Sequence, residues 1–466
     1  MRSIYLAELR DSWSAWLGVS LVFVATNFAL ALAASVCAIG FAAVASGQLE
    51  FWESSAYTMG PAFNIGYCAV VGAVVIGSAT SLVVDSRRGS LARLALAGAT
   101  PKQVVSSVLG QLVVVSLACA VVGDLLAMLA LQPTLVFVNN DPSSLVAVPP
   151  VSYDLGPALA ANALAVAVAV VGGLRTARAA SRIPPVEALR QSVTGGGTAM
   201  SVPRWIGVGL AAASVGVVFG CIPLIAAMGG KETFSNMVMS SMIVLILGGV
   251  VLALAAPVIV GPLTRAWTAL VPTRDPVWML ARNNAVIKAA RLTKSVVPVM
   301  IAIGLLVGLI TLTDVMLGQL KVLGISQISG VGLGALISFL GLPLIVALSG
   351  GLGSLIMMGR QRDAELALSG IVGTTPAQRV AMTVLEGVII AVTGTVLALV
   401  MVALSTVYLA VAFPAANLTF ALNPSFGVLG LAFGFCLAIT VAATVLPTLR
   451  SIGMPEPKVI ARLVAE

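Results

Sequence analysis

The chain contains no histidine, and only 9% of its 466 residues are charged. The first absence removes the commonest general base and metal ligand. It excludes a Ser-His-Asp triad and an HExxH zinc site. The second absence excludes a fully water-facing surface, since soluble domains carry roughly 25% charged residues. No GxxxxGK[ST] loop occurs, so the chain cannot cradle ATP in the P-loop manner. Cysteine is sparse. Cys37, Cys68, Cys119, Cys221 and Cys436 are odd in number, lie in apolar runs and lack CxxC spacing. They read as small apolar packing residues.

What the chain has in excess is apolar sequence. It is 59% hydrophobic, with a mean hydropathy of +1.09. A membrane helix needs about 20 apolar residues. Runs of that kind lie near 17–46, 61–84, 104–131, 155–175, 205–228, 238–263, 296–319, 333–358, 380–411 and 426–447. The fold class expected is all-α, a polytopic membrane protein of about ten spans. The first run exceeds the roughly 7–15 residues of a signal-peptide core, so it reads as a retained span.

The net charge of +8 could point to nucleic acid. The positions of the basic residues point elsewhere. With the N-terminus in the cytoplasm, every Lys and Arg except Lys231 and Lys321 falls on the cytoplasmic side. This is an orientation signal and a surface for anionic lipid headgroups. No nucleic-acid partner is expected, and both termini are placed in the cytoplasm.

An internal repeat comes next. Residues 85–114 read DSRRGSLARLALAGATPKQVVSSVLGQLVV, and residues from 360 read RQRDAELALSGIVGTTPAQRVAMTVLEGVII. Arg87 pairs with Arg362, Pro101 with Pro376, Gln103 with Gln378 and Gln111 with Glu386, all at an offset of 275. In each copy a short helix is expected to end at a glycine, Gly98 or Gly373, where a left-handed residue costs little. Thr100 and Thr375 then stand where an N-cap oxygen is wanted. Pro101 and Pro376 suit the first turn of the next helix.

These segments, with Arg175-Thr176-Ala177-Arg178 and Pro185-Val186-Glu187-Ala188-Leu189-Arg190 after the first copy, resemble the FtsX-like permease family of ABC transporters, the MacB or type VII group. The resemblance covers about 60–190 and 335–455. It implies a transport subunit without its own motor. Two copies of an ABC ATPase would bind ATP and magnesium, so no cofactor is expected in this chain. The coupling surface would comprise Arg87, Arg88, Arg93, Gly98, Thr100 and Pro101 in one copy. Arg362, Glu365, Gly373, Thr375 and Pro376 would form it in the other. The substrate implied is amphipathic, such as an antimicrobial peptide, lipopeptide or lipid-linked compound, moved by mechanotransmission. The chain differs from MacB-type permeases in lacking a large extracytoplasmic domain, since its longest outside loop is 132–154.

The plan expected is 4 + 2 + 4. A first half spans 1–190, a linker 191–204, a bridging pair of spans 205–275 and a second half 276–466. Amphipathic elbow segments, MRSIYLAELRDSWSAW and PVWMLARNNAVIKAARLTKS, precede spans one and seven. The cluster Gly350-Gly351-Leu352-Gly353 reads as close helix packing. Asp124, Asp314 and Glu386 lie within spans, with Gln111 as the repeat mate of Glu386. Asp124 and Asp314 are expected near outer span ends, partly hydrated. Glu386 is expected to make a structural hydrogen bond. Two other functions remain open: an ion-gradient-driven transporter relying on those carboxylates, and a non-transporting regulator of cell-wall hydrolysis. An intramembrane protease would need apposed aspartates.

Overall fold

A computed structural model describes residues 13–47, 55–86, 96, 98–139, 154–181, 202–229, 231–271, 275–322, 331–422 and 424–452. The first half contributes α1 (Trp13–Ala45), α2 (Ser55–Ser86), α3 (Pro101–Asn139) and α4 (Leu155–Ala180). Next come α5 (Val202–Gly220), α6 (Ile222–Met228) and α7 (Lys231–Ala269). The second half contributes α8 (Pro276–Ile287), α9 (Ala289–Val322), α10 (Val331–Ile371), α11 (Pro376–Ala415) and α12 (Phe426–Ile452). No strand occurs among the described residues. Ten helical segments are long and apolar enough to cross a membrane. Helix is the expected outcome here, because in lipid each backbone donor must be satisfied within its own segment.

The two halves repeat one packing scheme. In the first, α1 lies against α2, α3 and α4, and α4 closes onto α2 and α3. In the second, α9 lies against α10 and α11, and α12 closes onto both. The halves meet where α10 packs on α1 and α2, while α2 also touches α9. The glycine cluster of α10 makes this possible. A Cβ on Gly353 would fall on the carbonyl oxygen of Gly18 in α1. One on Gly350 would fall inside Val75 of α2, and one on Gly351 would stand 3.6 Å from Val299 of α9. Small residues let backbones approach in a bilayer, where no hydrophobic drive separates protein from lipid.

Several boundaries differ from the sequence reading. Helix α3 continues through Pro133 to Asn139, so the longest loop loses its first residues to helix. Proline is tolerated in membrane helices because neighbouring groups compensate for its lost donor. The fifth span is broken at Cys221, and the short α6 resumes with proline in its first turn. The second repeat segment is not a separate short helix. It forms the last turns of α10, which runs 41 residues without interruption. At 1.5 Å per residue that is about 61 Å, roughly twice a hydrocarbon core. Ala, Leu and Glu, all strong helix formers, dominate this extension. The elbow before span one lies largely outside the described residues. The elbow before span seven is α8, capped by Asp275, whose Oδ1 accepts from Val277 N at 2.9 Å.

Helix α7 packs on α5, α9 and α11, so spans five and six attach to the second half. Pro257 in α7 leaves the Ala253 carbonyl without its helical donor. Arg204, near the start of α5, occupies that place. Its Nε donates to Leu254 O at 2.7 Å and its Nη2 reaches Ala253 O at 3.5 Å. Replacing Arg204 with methionine keeps the length and removes the donors. We expect it to cost about 1.5–3 kcal/mol, as for hydrogen bonds to a charged group. Thermal unfolding in detergent, compared with wild type, checks this.

Candidate coupling site

Two turns built to the same plan project from one end of the bundle. In the second, Gly373 ends α10 at φ +103°. Gly373 N–H donates to Gly370 O at 3.0 Å, and Thr374 N–H to Ser369 O at 3.1 Å. This is the Schellman pattern, which satisfies carbonyls at the helix end. Thr375 then caps α11 in an extended conformation. Its N–H donates to Gln378 Oε1 at 2.9 Å, and Gln378 N–H returns to Thr375 Oγ1 at 3.3 Å. Pro376 takes the first helical turn. In the first turn Gly98 has φ +94°. Thr100 N–H donates to Gln103 Oε1 at 2.8 Å, and Gln103 N–H to Thr100 Oγ1 at 3.4 Å. Both are capping boxes with glutamine at the third position.

The tips are apolar and exposed. Val372 is 87% exposed, Ile371 62%, Leu368 58% and, in the first copy, Leu96 55%. The coupling surface expected from sequence comprises charges and the Gly-Thr-Pro turn residues and leaves out these four. Their signal was present: leucine, isoleucine and valine next to a polar turn, outside any span.

Glu365 is turned inward along its own subunit. It pairs with Lys288 Nζ at 2.8 Å and with Arg291 Nη1 at 2.7 Å. Lys288 is the residue between α8 and α9, and Arg291 lies in the first turn of α9. Both basic residues entered the sequence reading only as orientation charges. Arg87, Arg88 and Arg93 lie outside the described residues. Arg362 lies within α10, but its side chain is not among those described.

The carboxylates within spans occupy separate places. Asp124 Oδ2 accepts from Asn162 Nδ2 of α4 at 2.8 Å. Its helix continues 15 residues beyond it to Asn139, and the preceding Gly123 abuts Asn27 in the middle of α1. Asp124 is half-buried, level with the middle of α1, and its second oxygen is buried with no hydrogen bond among the described residues. Asp314 does lie near the far end. There it accepts from Ser425 N at 2.9 Å and from Ser425 Oγ at 2.8 Å, capping the start of α12. Gln111 is buried on α3. Glu386 is half-buried on α11, and the next residue, Gly387, abuts Thr444 of α12. Among the described residues no group of His, Cys, Asp or Glu could hold a metal ion.

The fold and these turns define a duplicated, multi-pass, all-α membrane permease. The FtsX-like permease C-terminal domain matches residues 62–185 and 337–455. The chain belongs to the FtsX-like permease family, with two copies of its domain in one polypeptide. Each match covers the second, third and fourth spans of a half and leaves out the first. No curated protein matches the chain. Members of this family are ABC transporter permeases, generally not catalytic themselves, and they generally partner with ABC ATPase subunits.

Proposed function

We propose that this chain supplies both halves of the permease of an ABC exporter, docking one ATPase subunit on each projecting turn. The observation that carries this is the duplication of one capped turn in one register, each with exposed apolar residues at its tip. A tip built this way is stiff, because its helix ends are satisfied internally. It can therefore receive force without fraying. The positive-inside bias puts the turn end and both termini in the cytoplasm. ATP and magnesium are held by the ATPases. Their closure moves the turns, and the long helices α2–α3 and α10–α11 carry that movement across the bilayer. The substrate is amphipathic and is extracted from the membrane, a reading that the short outside loops of the sequence support, the longest of them 132–154. The units doing this work are 1–190 and 276–466, joined by 191–204 and the pair at 205–275.

A gradient-driven transporter gains no support from the carboxylates. Asp124 and Asp314 lie in different halves and bond to Asn162 and Ser425 respectively. A relay would need a chain of such groups. The decisive experiment expresses the chain with an ABC ATPase encoded beside it and measures ATP hydrolysis in lipid vesicles. A stable complex with two ATPases per permease is expected. Absence of any complex, with transport that follows a proton or sodium gradient, would overturn the proposal.

A further inference from the structure

The Glu365 ion group is built from three positions that carry charge in the second half and none at the matching places, 275 earlier, in the first. Glu365 uses its two oxygens on two different cations, Oε2 on Lys288 and Oε1 on Arg291. Arg291 also reaches back to Met358 O at 3.5 Å, about two turns up α10 from Glu365. Its Nε is buried without a partner among the described residues. The elbow, the first turn of α9 and the end of α10 thus meet at one half-buried point. From there Ile371 and the tip lie six residues further on, about 9 Å along the helix.

The first half lacks these residues at the matching positions. Ser90 stands 275 positions before Glu365, and the chain has no Lys or Arg between Arg10 and Arg87. Its elbow-to-span junction carries Trp13 and Trp16 instead. The duplication has therefore kept the turn residues in both copies and the three charges of the ion group in one.

We propose that Glu365, Lys288 and Arg291 form a clasp that carries movement of the second turn directly into the α8–α9 elbow, and that the two halves are mechanically unequal for this reason. The proposal rests on the permease reading for its source of movement, but the clasp itself does not. All three are positioning residues, acting on the elbow rather than on substrate. In the first half, with Trp13, Trp16 and Ser90 at the matching positions, no clasp of this kind joins turn to elbow, and force passes through helix packing. In the second it also reaches the interface-plane helix α8, whose exposed Met279, Leu280 and Ile287 face away from the bundle.

The test uses the full chain in lipid nanodiscs, with its native cysteines replaced and spin labels at Ile287 and Val372. Without any ATPase, the wild-type pair should give one narrow distance distribution. Arg291→Gln with Lys288→Gln should broaden it. Exchange of the charges, Arg291→Glu with Glu365→Arg in the Lys288→Gln background, should restore the narrow peak. A distribution unmoved by the first change, or unrestored by the exchange in protein of wild-type elution profile, would overturn the clasp. A second arm adds the ATPase with ATP and vanadate. Elbow movement, read from labels at Ile287 and Leu210, should appear in the wild type and be lost in Arg291→Gln. Elbow movement that persists in that variant would overturn the proposal. Failure of the ATPase to bind at all would sink the permease reading, while the first arm would still decide the clasp.

Discussion

Replacing Gly353 with valine should prevent the two halves of the chain from closing on each other. A side chain at Gly353 meets the backbone oxygen of Gly18, and a side chain at Gly18 meets the backbone oxygen of Gly353 at 2.5 Å. Neither obstacle can rotate away, because both belong to helix backbone. The α1–α10 crossing must open to admit the isopropyl group. Opening it also lifts Gly350 from Val75 and Gly351 from Val299, since all three glycines lie on the same stretch of α10. Overpacking in a tight interior typically costs about 1–3 kcal/mol, occasionally more. Here it falls on the seam that joins the halves, so we expect the upper end and the loss of most monodisperse protein. Gly209→Ala and Gly216→Ala are the controls. An added Cβ at either meets nothing within 4 Å, so both variants should behave as wild type. Size-exclusion profiles and thermal midpoints of the three variants decide this. A well-behaved Gly353→Val protein would mean that the halves are not joined at this crossing.

The second large effect should appear at the tips. Val372 stands almost wholly outside the fold and Ile371 is mostly exposed. Changing both to aspartate should leave the bundle intact, because neither side chain belongs to its core. ATPase binding at that turn should be lost. Central apolar anchors cost about 2 kcal/mol or more each when removed. Two of them amount to a drop of about 1,000-fold in affinity. Leu96→Asp should do the same at the other turn, so a single-sided variant should retain one ATPase and the combined variant none. The measurement is ATPase stoichiometry in detergent complexes by mass photometry. Full occupancy of both turns in the combined variant would remove them as the docking surface.

What could be read from the sequence follows from the range of each interaction. The ten spans were legible because a bilayer imposes a length and an apolar composition on every crossing. The turns were legible because glycine, threonine, proline and glutamine act on their own backbone within three residues. Ranges longer than this were hidden. Glu365 meets Arg291 across 74 positions, and Ser425 meets Asp314 across 111. No local pattern marks either pair. The end of the third span was placed too early for a different reason. Pro133 reads as a stop, but in α3 it is absorbed within the helix. The apolar tips were passed over because attention to charge favours the arginines around them.

The placement of α7 has a consequence for the symmetry of the whole particle. It covers the outer flank of α9 and α11, whereas the matching flank of α1 and α3 stays open, with Val121, Val122, Leu125, Met128 and Leu129 of α3 uncovered. The repeat therefore relates the helix packing of the two halves but not their perimeters. Two identical motors would drive two unlike walls, one walled off from its surroundings and one bare. The duplicated chain has thereby acquired a front and a back, which a symmetric pair of separate subunits could not have.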